Sequence, residues 1–342
     1  MRFAIIGAGM AGLSLASMLR QSGQTVEVFE KSRGVGGRMS TRHTPYASID
    51  HGCQFLGSRT PEFEKFLEPL LEMGLLETWT PRIIHLNGER KNPLKQMEPG
   101  LERCLKDAAL LMEEMLVPVG DMNALCKYLA TDVNIRFSTR ITHLCPSRSG
   151  WEVYAGDHNE ALGWYDWVIV TAPPAQAGEL LPGYFKHLAE IKKIGMNPCI
   201  AILVVPSRPL DLDFDVAEIS NSILNWIALN HKKPGRGEHP ALIGHCDFRY
   251  SNQVLEQNPE DLKEQLITEM NRLLGGAIGS DCHEVSVHRW RYAQSDGNNQ
   301  AGCYVDRCHR LAVAGDWCLG GRVEDAWLSA NKTYQILSNT LI

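Results

Sequence analysis

Long apolar runs are missing from this chain of 342 residues; no stretch approaches the roughly 20 residues that a membrane span requires. An excess of positive charge is missing as well. With 34 Lys and Arg against 40 Asp and Glu the formal net charge is −6. That speaks against a nucleic-acid or anionic-membrane partner, because neutralising phosphates takes a basic face. The ten cysteines (Cys53, Cys104, Cys126, Cys145, Cys199, Cys246, Cys282, Cys303, Cys308 and Cys318) include no CxxC pair and no zinc-ligand spacing. They are expected as reduced, scattered core residues. No internal repeat, low-complexity stretch or proline-rich linker is present, and no Ser-His-Asp arrangement, metal site or paired-carboxylate signature. The first apolar run, Phe3–Ile6, is short and reads as a strand rather than a signal peptide, so a cytoplasmic location is expected.

What is present is ordinary in bulk and specific in detail. A hydrophobic fraction of 44% and a charged fraction of 22% suit a globular protein, long enough for one large domain or two interleaved ones. Directly after Phe3–Ile6 comes GAGMAG, and Glu30 closes a second apolar run, Thr25–Phe29. This is the layout of a βαβ dinucleotide-binding unit. Gly7 allows the strand-to-helix turn, Gly9 lets a pyrophosphate approach the backbone, and Gly12 lets helix and strand pack closely. The helix N-terminus faces the phosphates, and Glu30 can accept both hydroxyls of an adenosine ribose.

Further along, residues 61–77 read as a helix with Phe63, Phe66, Leu67, Leu70 and Leu71 on one face, and residues 101–116 as another. Asn87-Gly88 suggests a hairpin turn. Strands are expected at 133–137, 141–145, 151–155, 167–171, 199–205, 241–247, 285–290 and 311–314. Helices are expected at 259–274 and after Gly320-Gly321. The α/β class expected is a Rossmann-type dinucleotide-binding domain with a second, mixed-sheet domain interleaved in sequence. The first takes residues 1–60, 117–175 and 291–342, and the second, for substrate, takes 61–116 and 176–290.

Four blocks refine the cofactor. Gly36-Gly37-Arg38 places a turn and a guanidinium within reach of a pyrophosphate. In Asp50–Gln54, Gly52 would let an isoalloxazine ring approach the backbone. Val119–Met122 precedes an apolar-periodic helix. Ala312–Trp317 is a strand ending in Gly315-Asp316, suited to a ribityl or phosphate-proximal hydrogen bond. The helix that follows aims its dipole at the pyrimidine edge of a flavin, where it would stabilise the reduced form by up to about 2 kcal/mol.

KSRGVGGRMS (31–40), Asp50–Gln54, LNWIALNHKKP (224–234), HRWRYAQ (288–294) and AGDWCLGGRVEDAWLSA (314–330) together resemble the flavoprotein superfamily of amine oxidases and aromatic hydroxylases. Within it they are most similar to the bacterial members of the renalase family. The resemblance implies a non-covalent FAD held by Gly7, Gly9, Met10, Ala11, Gly12, Glu30, Lys31, Gly37, Arg38, Met39, Gly52, Gln54, Ile141, Ala172, Gly315, Asp316, Arg322, Val323 and Ala326. It also implies oxidation of 2- and 6-dihydroNAD(P) to NAD(P)+, with oxygen reduced to hydrogen peroxide and no obligate protein partner. Such a substrate becomes aromatic on losing hydride, so placement matters more than a base.

The resemblance puts Trp226, Asn230, His245, Trp290 and Tyr292 at the substrate pocket. By themselves His245, Trp226 and Trp290 read equally as core residues, and His245 or Asn230 could serve a nicotinamide carboxamide. His231-Lys232-Lys233 and Arg236 are either a solvated surface or a receiver of the substrate's phosphates. Two rivals stand beside this reading. Amine oxidases of the superfamily carry a lysine on the strand matching 198–205, and none is here. Gly302-Cys303-Tyr304 is similar to a flavin attachment site but lies too close to Ala314. The other rival is a non-catalytic FAD-stabilised binding module. Gln294-Ser295, where relatives place Arg-Pro, departs from the pattern and could alter the pocket floor. Residues 92–117 have no counterpart and no assigned role.

Overall fold

The computed structural model describes residues 1–94, 114–147, 149–156, 158, 160–295 and 299–339. Two six-stranded sheets organise it. The first runs in the order Tyr304–Asp306, Leu311–Val313, Trp167–Val170, Arg2–Ile6, Thr25–Phe29, Asn134–Arg136. It is parallel throughout except for the antiparallel Tyr304–Asp306 edge. Its inner strands are apolar on both faces because helices cover one side and a three-stranded meander (Ile141–Pro146, Trp151–Ala155, Glu160–Tyr165) the other. The helix Met10–Gln21 packs against Val323–Ser338 on the covered face. This is the Rossmann-type α/β arrangement that the GAGMAG unit announces.

The second sheet runs Cys282–Ser295, Met196–Pro206, Leu242–Cys246, Leu224–Leu229, Val216–Ser220, Ile83–Asn87. It is antiparallel except for its last pair. Side chains alternate between its faces. Ile202, Ile227, Ile219 and Leu86 face an apolar layer capped by the helix Pro259–Leu273. Asn258 caps that helix by accepting from Glu260 N, and Pro259 starts it. Leu262, Leu266, Met270 and Leu273 form its buried stripe. The opposite face carries Ile83, Val216, Ala228, Ile243 and Ala201, and joins the core of the first sheet.

Several expectations change. The helix expected over 61–77 stops at Glu72, because Gly74 (φ +68°) takes the left-handed position after it and Leu75 N donates to Leu70 O. Leu76–Thr78 is then a strand paired with Leu116–Pro118. Leu116 of the expected 101–116 helix therefore lies in a strand, and residues 101–113 lie outside the described set. The turn at Asn87-Gly88 exists, but its strand pairs in parallel with Val216–Ser220 rather than in a local hairpin. Strand Cys282–Ser295 runs unbroken through the boundary expected at 290/291, held by its ladder to Met196–Pro206. The nine described cysteines are all free. Among the described residues no helix is long and apolar enough to cross a membrane.

Candidate active site

The dinucleotide end is built from backbone. Gly7 sits at φ +115°, and a Cβ on Gly12 would lie 2.0 Å from Gly7 O, so neither position admits a side chain. A Cβ on Gly9 would meet no protein atom within 4 Å, and its φ of −85° is ordinary. Protein packing therefore does not require that glycine, and the position is open to the close approach of a phosphate. Buried Glu30 accepts from Ala8 N and Ser32 N, both at 2.8 Å, which fixes its carboxylate at the strand end where a ribose diol would meet it. Met10 and Ala11 are buried in the first helical turn. Lys31 is exposed and reaches Gln176. Ile141 opens the meander, and Ala172 O accepts from Trp317 Nε1 at 3.1 Å. These residues fit an adenine dinucleotide.

The other blocks do different work from that expected. Arg38 does not extend towards a pyrophosphate. Its guanidinium forms a two-pronged pair with Asp316, at 2.7 and 2.5 Å, and also donates to Ala293 O. The expected phosphate ligand and the expected ribityl ligand thus hold each other, tying Gly37–Met39 to the Gly315-Asp316 turn. Met39 is buried against Cys126. A Cβ on Gly52 would lie 2.1 Å from Arg38 O, so that glycine serves a crossing of two backbones. At the start of the last helix, Asp325 accepts from Arg322 N next to Val323 and the buried Ala326. Burial, with Asp316 and Glu324 nearby, pushes Asp325 up to about 6. Glu324 turns the other way and accepts from Arg59 N, Thr60 N and Thr60 Oγ1.

The Asp50–Gln54 block centres on a fully buried carboxylate. Asp50 Oδ2 accepts from Lys233 Nζ at 3.2 Å and Arg236 Nη2 at 2.7 Å, while Oδ1 accepts from Thr41 Oγ1 and Met122 N. Burial alone would raise its pKa; the two cations and the Thr41 bond more than offset this and hold it below the usual carboxylate range. Lys233 and Arg236 are therefore neither a solvated surface nor a phosphate receiver. Their side chains are 0% and 1% exposed. Gln54 is not left for a cofactor either, since it accepts from Lys233 and donates to Asp50 O and Gly52 O. Asn230 likewise serves the backbone: buried, it donates to Ser48 O at 2.7 Å and accepts from Asp50 N. The signal for this node is in the sequence, as an apolar-flanked Asp50 and a Lys-Lys-Pro-Gly-Arg loop, but nothing local says they meet.

Across the second sheet the register lines up His288, Ala201, His245, Trp226, Glu218 and His85, one per strand, on the face towards the first sheet. His245 Nε2 lies 3.3 Å from His51 O, which also accepts from Trp290 Nε1 at 2.8 Å. His51 stacks on Trp290 and meets His288 edge-on. Trp226 stands 6.3 Å from Phe55. Tyr292 follows Trp290 on the same strand, half-buried. Burial holds these imidazoles neutral, His51 at about 3 and His245 and His288 at about 4, with Arg42 also lowering His288. The structure thus brings His245, Trp226 and Trp290 together and adds His51 and His288, which sequence spacing did not single out.

A family model described as NAD(P)-binding Rossmann-like domain matches residues 5–70. One described as flavin containing amine oxidoreductase matches residues 105–333, more than half of the chain. A putative protoporphyrinogen oxidase structure from Exiguobacterium sp. 255-15 superimposes with a TM-score of 0.74 at 13% identity, covering 98% of both chains. Cyclohexylamine oxidase from Brevibacterium oxydans IH-35A gives 0.74 at 14% identity, covering 99% of both. Among curated sequences, the tRNA 5-methylaminomethyl-2-thiouridine biosynthesis bifunctional protein MnmC of Magnetococcus marinus is 26% identical over 49% of this chain and 29% of its own length. Achacin of Lissachatina fulica is 52% identical over 12% of this chain and 8% of its own. The matches therefore span less than a third of these curated relatives.

Proposed function

The chain belongs to the flavin containing amine oxidoreductase family, and from that premise we propose that it is a renalase-like oxidase. In this reading it binds FAD non-covalently and converts 2- or 6-dihydroNAD(P), oxygen and a proton into NAD(P)+ and hydrogen peroxide. The bound flavin supplies a two-electron acceptor that oxygen can recharge. The protein supplies placement. Gly9 admits the pyrophosphate, Glu30 holds the adenosine ribose, and the Arg38–Asp316 pair ties Gly37–Met39 to the Gly315-Asp316 turn.

The observation that carries the substrate reading is the row of neutral imidazoles and indoles around His245, Trp226 and Trp290. A dihydropyridine needs a flat, water-excluding wall and no base, because loss of hydride makes it aromatic. Strand Met196–Pro206 carries no lysine, and the buried Lys233 is engaged by Asp50 and Gln54. The Cys303 thiol is buried and pushed up in pKa, which disfavours attachment to a flavin.

A second reading, amine oxidation, draws on the family match itself. Anaerobic mixing separates the two. The yellow protein should bleach with 2- or 6-dihydroNAD(P) and not with ordinary 4-dihydroNADH or amines; bleaching by a catecholamine or polyamine instead overturns the proposal. Acid precipitation should leave a colourless pellet and a yellow supernatant.

A further inference from the structure

A dihydronicotinamide nucleotide carries at least one phosphate, a single ribose away from the ring that gives up hydride. The basic loop expected to receive it is engaged elsewhere. Lys233 and Arg236 are buried against Asp50, and Lys232 pairs with Asp215 at 3.6 Å. Beside the candidate ring wall, Arg289 and Arg291 are likewise paired, both with Glu256.

Arg42 is placed differently. It lies on the strand Thr41–His43, where its register partner is Ile49, so it points to the opposite face from Thr41 and the Asp50 node. There it meets the edge strand Cys282–Ser295, with Nη2 3.4 Å from His288 Nδ1. Among the described residues it has no carboxylate partner. The imidazoles nearest it stay neutral: burial above all lowers His51 to about 3 and His288 to about 4, and Arg42 adds to both shifts. The fold therefore leaves this charge uncompensated. Arg42, His288 and Trp290 are each only half-buried, and among the described residues no strand pairs with the outer edge of Cys282–Ser295. The guanidinium thus keeps surface that a ligand can reach from solvent.

We propose that Arg42 is a specificity-determining residue that takes the ribose phosphate of a dihydronicotinamide nucleotide while the dihydropyridine lies against the Trp290 side of the wall. A planar guanidinium matches phosphate oxygens two at a time. The His288 ring beside it stands 4.3 Å from the Trp290 indole, so guanidinium and indole are one ring apart, the separation that a ribose bridges. Neutral rings between them neither quench the cation nor repel the anion. The inference rests on the dihydronicotinamide reading and adds a selectivity to it, for the nucleotide over the nucleoside.

The test is calorimetric titration of the yellow holoprotein with nicotinamide mononucleotide and nicotinamide riboside, which differ by the phosphate alone and are not turned over. The wild type should prefer the mononucleotide by about tenfold at low salt, and the preference should shrink as sodium chloride is raised. Arg42→Met, which keeps the apolar stem, should bring the two ligands to within about twofold of each other. Arg42→Lys, which keeps the charge and loses the fork, should lose part of the preference, and it decides the matter if Arg42→Met fails to fold. Both ligands meet the same rings, so a repacked His288 shifts them together and leaves their ratio unchanged. A wild type without preference, a preference indifferent to salt, or Arg42 variants that keep it in full, overturns the phosphate contact alone. A wild type that binds neither ligand, with a flavin bleached by amines, overturns the dihydronicotinamide reading and the contact with it.

Discussion

In the parallel sheet the groups that meet a dinucleotide are backbone and strand-end atoms gathered between Gly7 and Glu30. In the antiparallel sheet the candidate groups are mid-strand side chains aligned across the ladders from His85 to His288. Between the two lies the Asp50 node, in which nearly every polar atom is paired. The candidate site of the first sheet rests on geometry that glycine permits, and that of the second on a surface that exists only once five ladders are in register. The node makes one dependent on the other.

The largest effect should come from the node. Lys233→Met leaves Asp50 and Arg236 buried with their charges rearranged and should cost about 3–5 kcal/mol of stability by chemical denaturation. Lys127→Met, which removes the half-exposed pair with Asp121, should cost less than about 1 kcal/mol. Equal costs would mean that the two sheets are not joined through buried charge.

Next comes Gly9→Val, which should cost the apoprotein no more than about 1 kcal/mol as a poorer helix N-cap and weaken flavin binding by about a hundredfold, as when about 3 kcal/mol of overpacking is forced on a close contact. Fluorescence titration of flavin measures it. Normal binding would remove the backbone approach from the account of the first sheet.

Acid separates the sheets with opposite signs. His51 at about 3 and His245 at about 4 stay neutral when folded and take up a proton near 6.5 when unfolded. Their contribution is present above pH 6.5 and is lost as pH falls, by about 1.4 kcal/mol per pH unit for each group between roughly 6.5 and 4. His245→Gln should lower that slope by one group in pH-dependent denaturation; an unchanged slope contradicts the assignment.

Asp325, raised to about 6, behaves conversely: its contribution is complete below about pH 4 and is lost as pH rises through 6. Asp325→Asn, which keeps an acceptor for Arg322 N, should therefore gain up to about 1 kcal/mol at pH 7.5 and nothing at pH 4. The same denaturation series reports it, and a loss at pH 7.5 would refute the burial argument.

The contrast also explains what could be read from sequence. GAGMAG and Glu30 are local, and the jobs of Gly7 and Gly12 follow from chain geometry within a few residues, so the strand–turn–helix at that end was legible. The strands around Ile169, Ile202 and Val313 were legible because apolar runs announce themselves. The contact of Gly52 with the Arg38 carbonyl was not legible, because the two segments meet only in the fold. Gln54 and Asn230 misled because a polar residue near a cofactor block can equally be needed to satisfy backbone, and only the fold says which. Val216–Ser220, with a charged residue in five, does not look like a strand until Ile83–Asn87 lies beside it. The His85–Glu218–Trp226 row has no local signal, since its members are 133 and 8 residues apart and meet through two different ladders.

The packing of Met10–Gln21 against Val323–Ser338 has a consequence in time. A ribosome adding about 5–20 residues per second makes the first of these helices tens of seconds before the second. Through that interval the side of the first helix that takes Val323–Ser338 is uncovered, and the central strand Arg2–Ile6 has Thr25–Phe29 on one edge while the other waits for Trp167–Val170. Synthesis therefore leaves an exposed half-layer that only the last helix closes. A chain cut short before Val323 should be found with holdase chaperones rather than as a smaller folded protein.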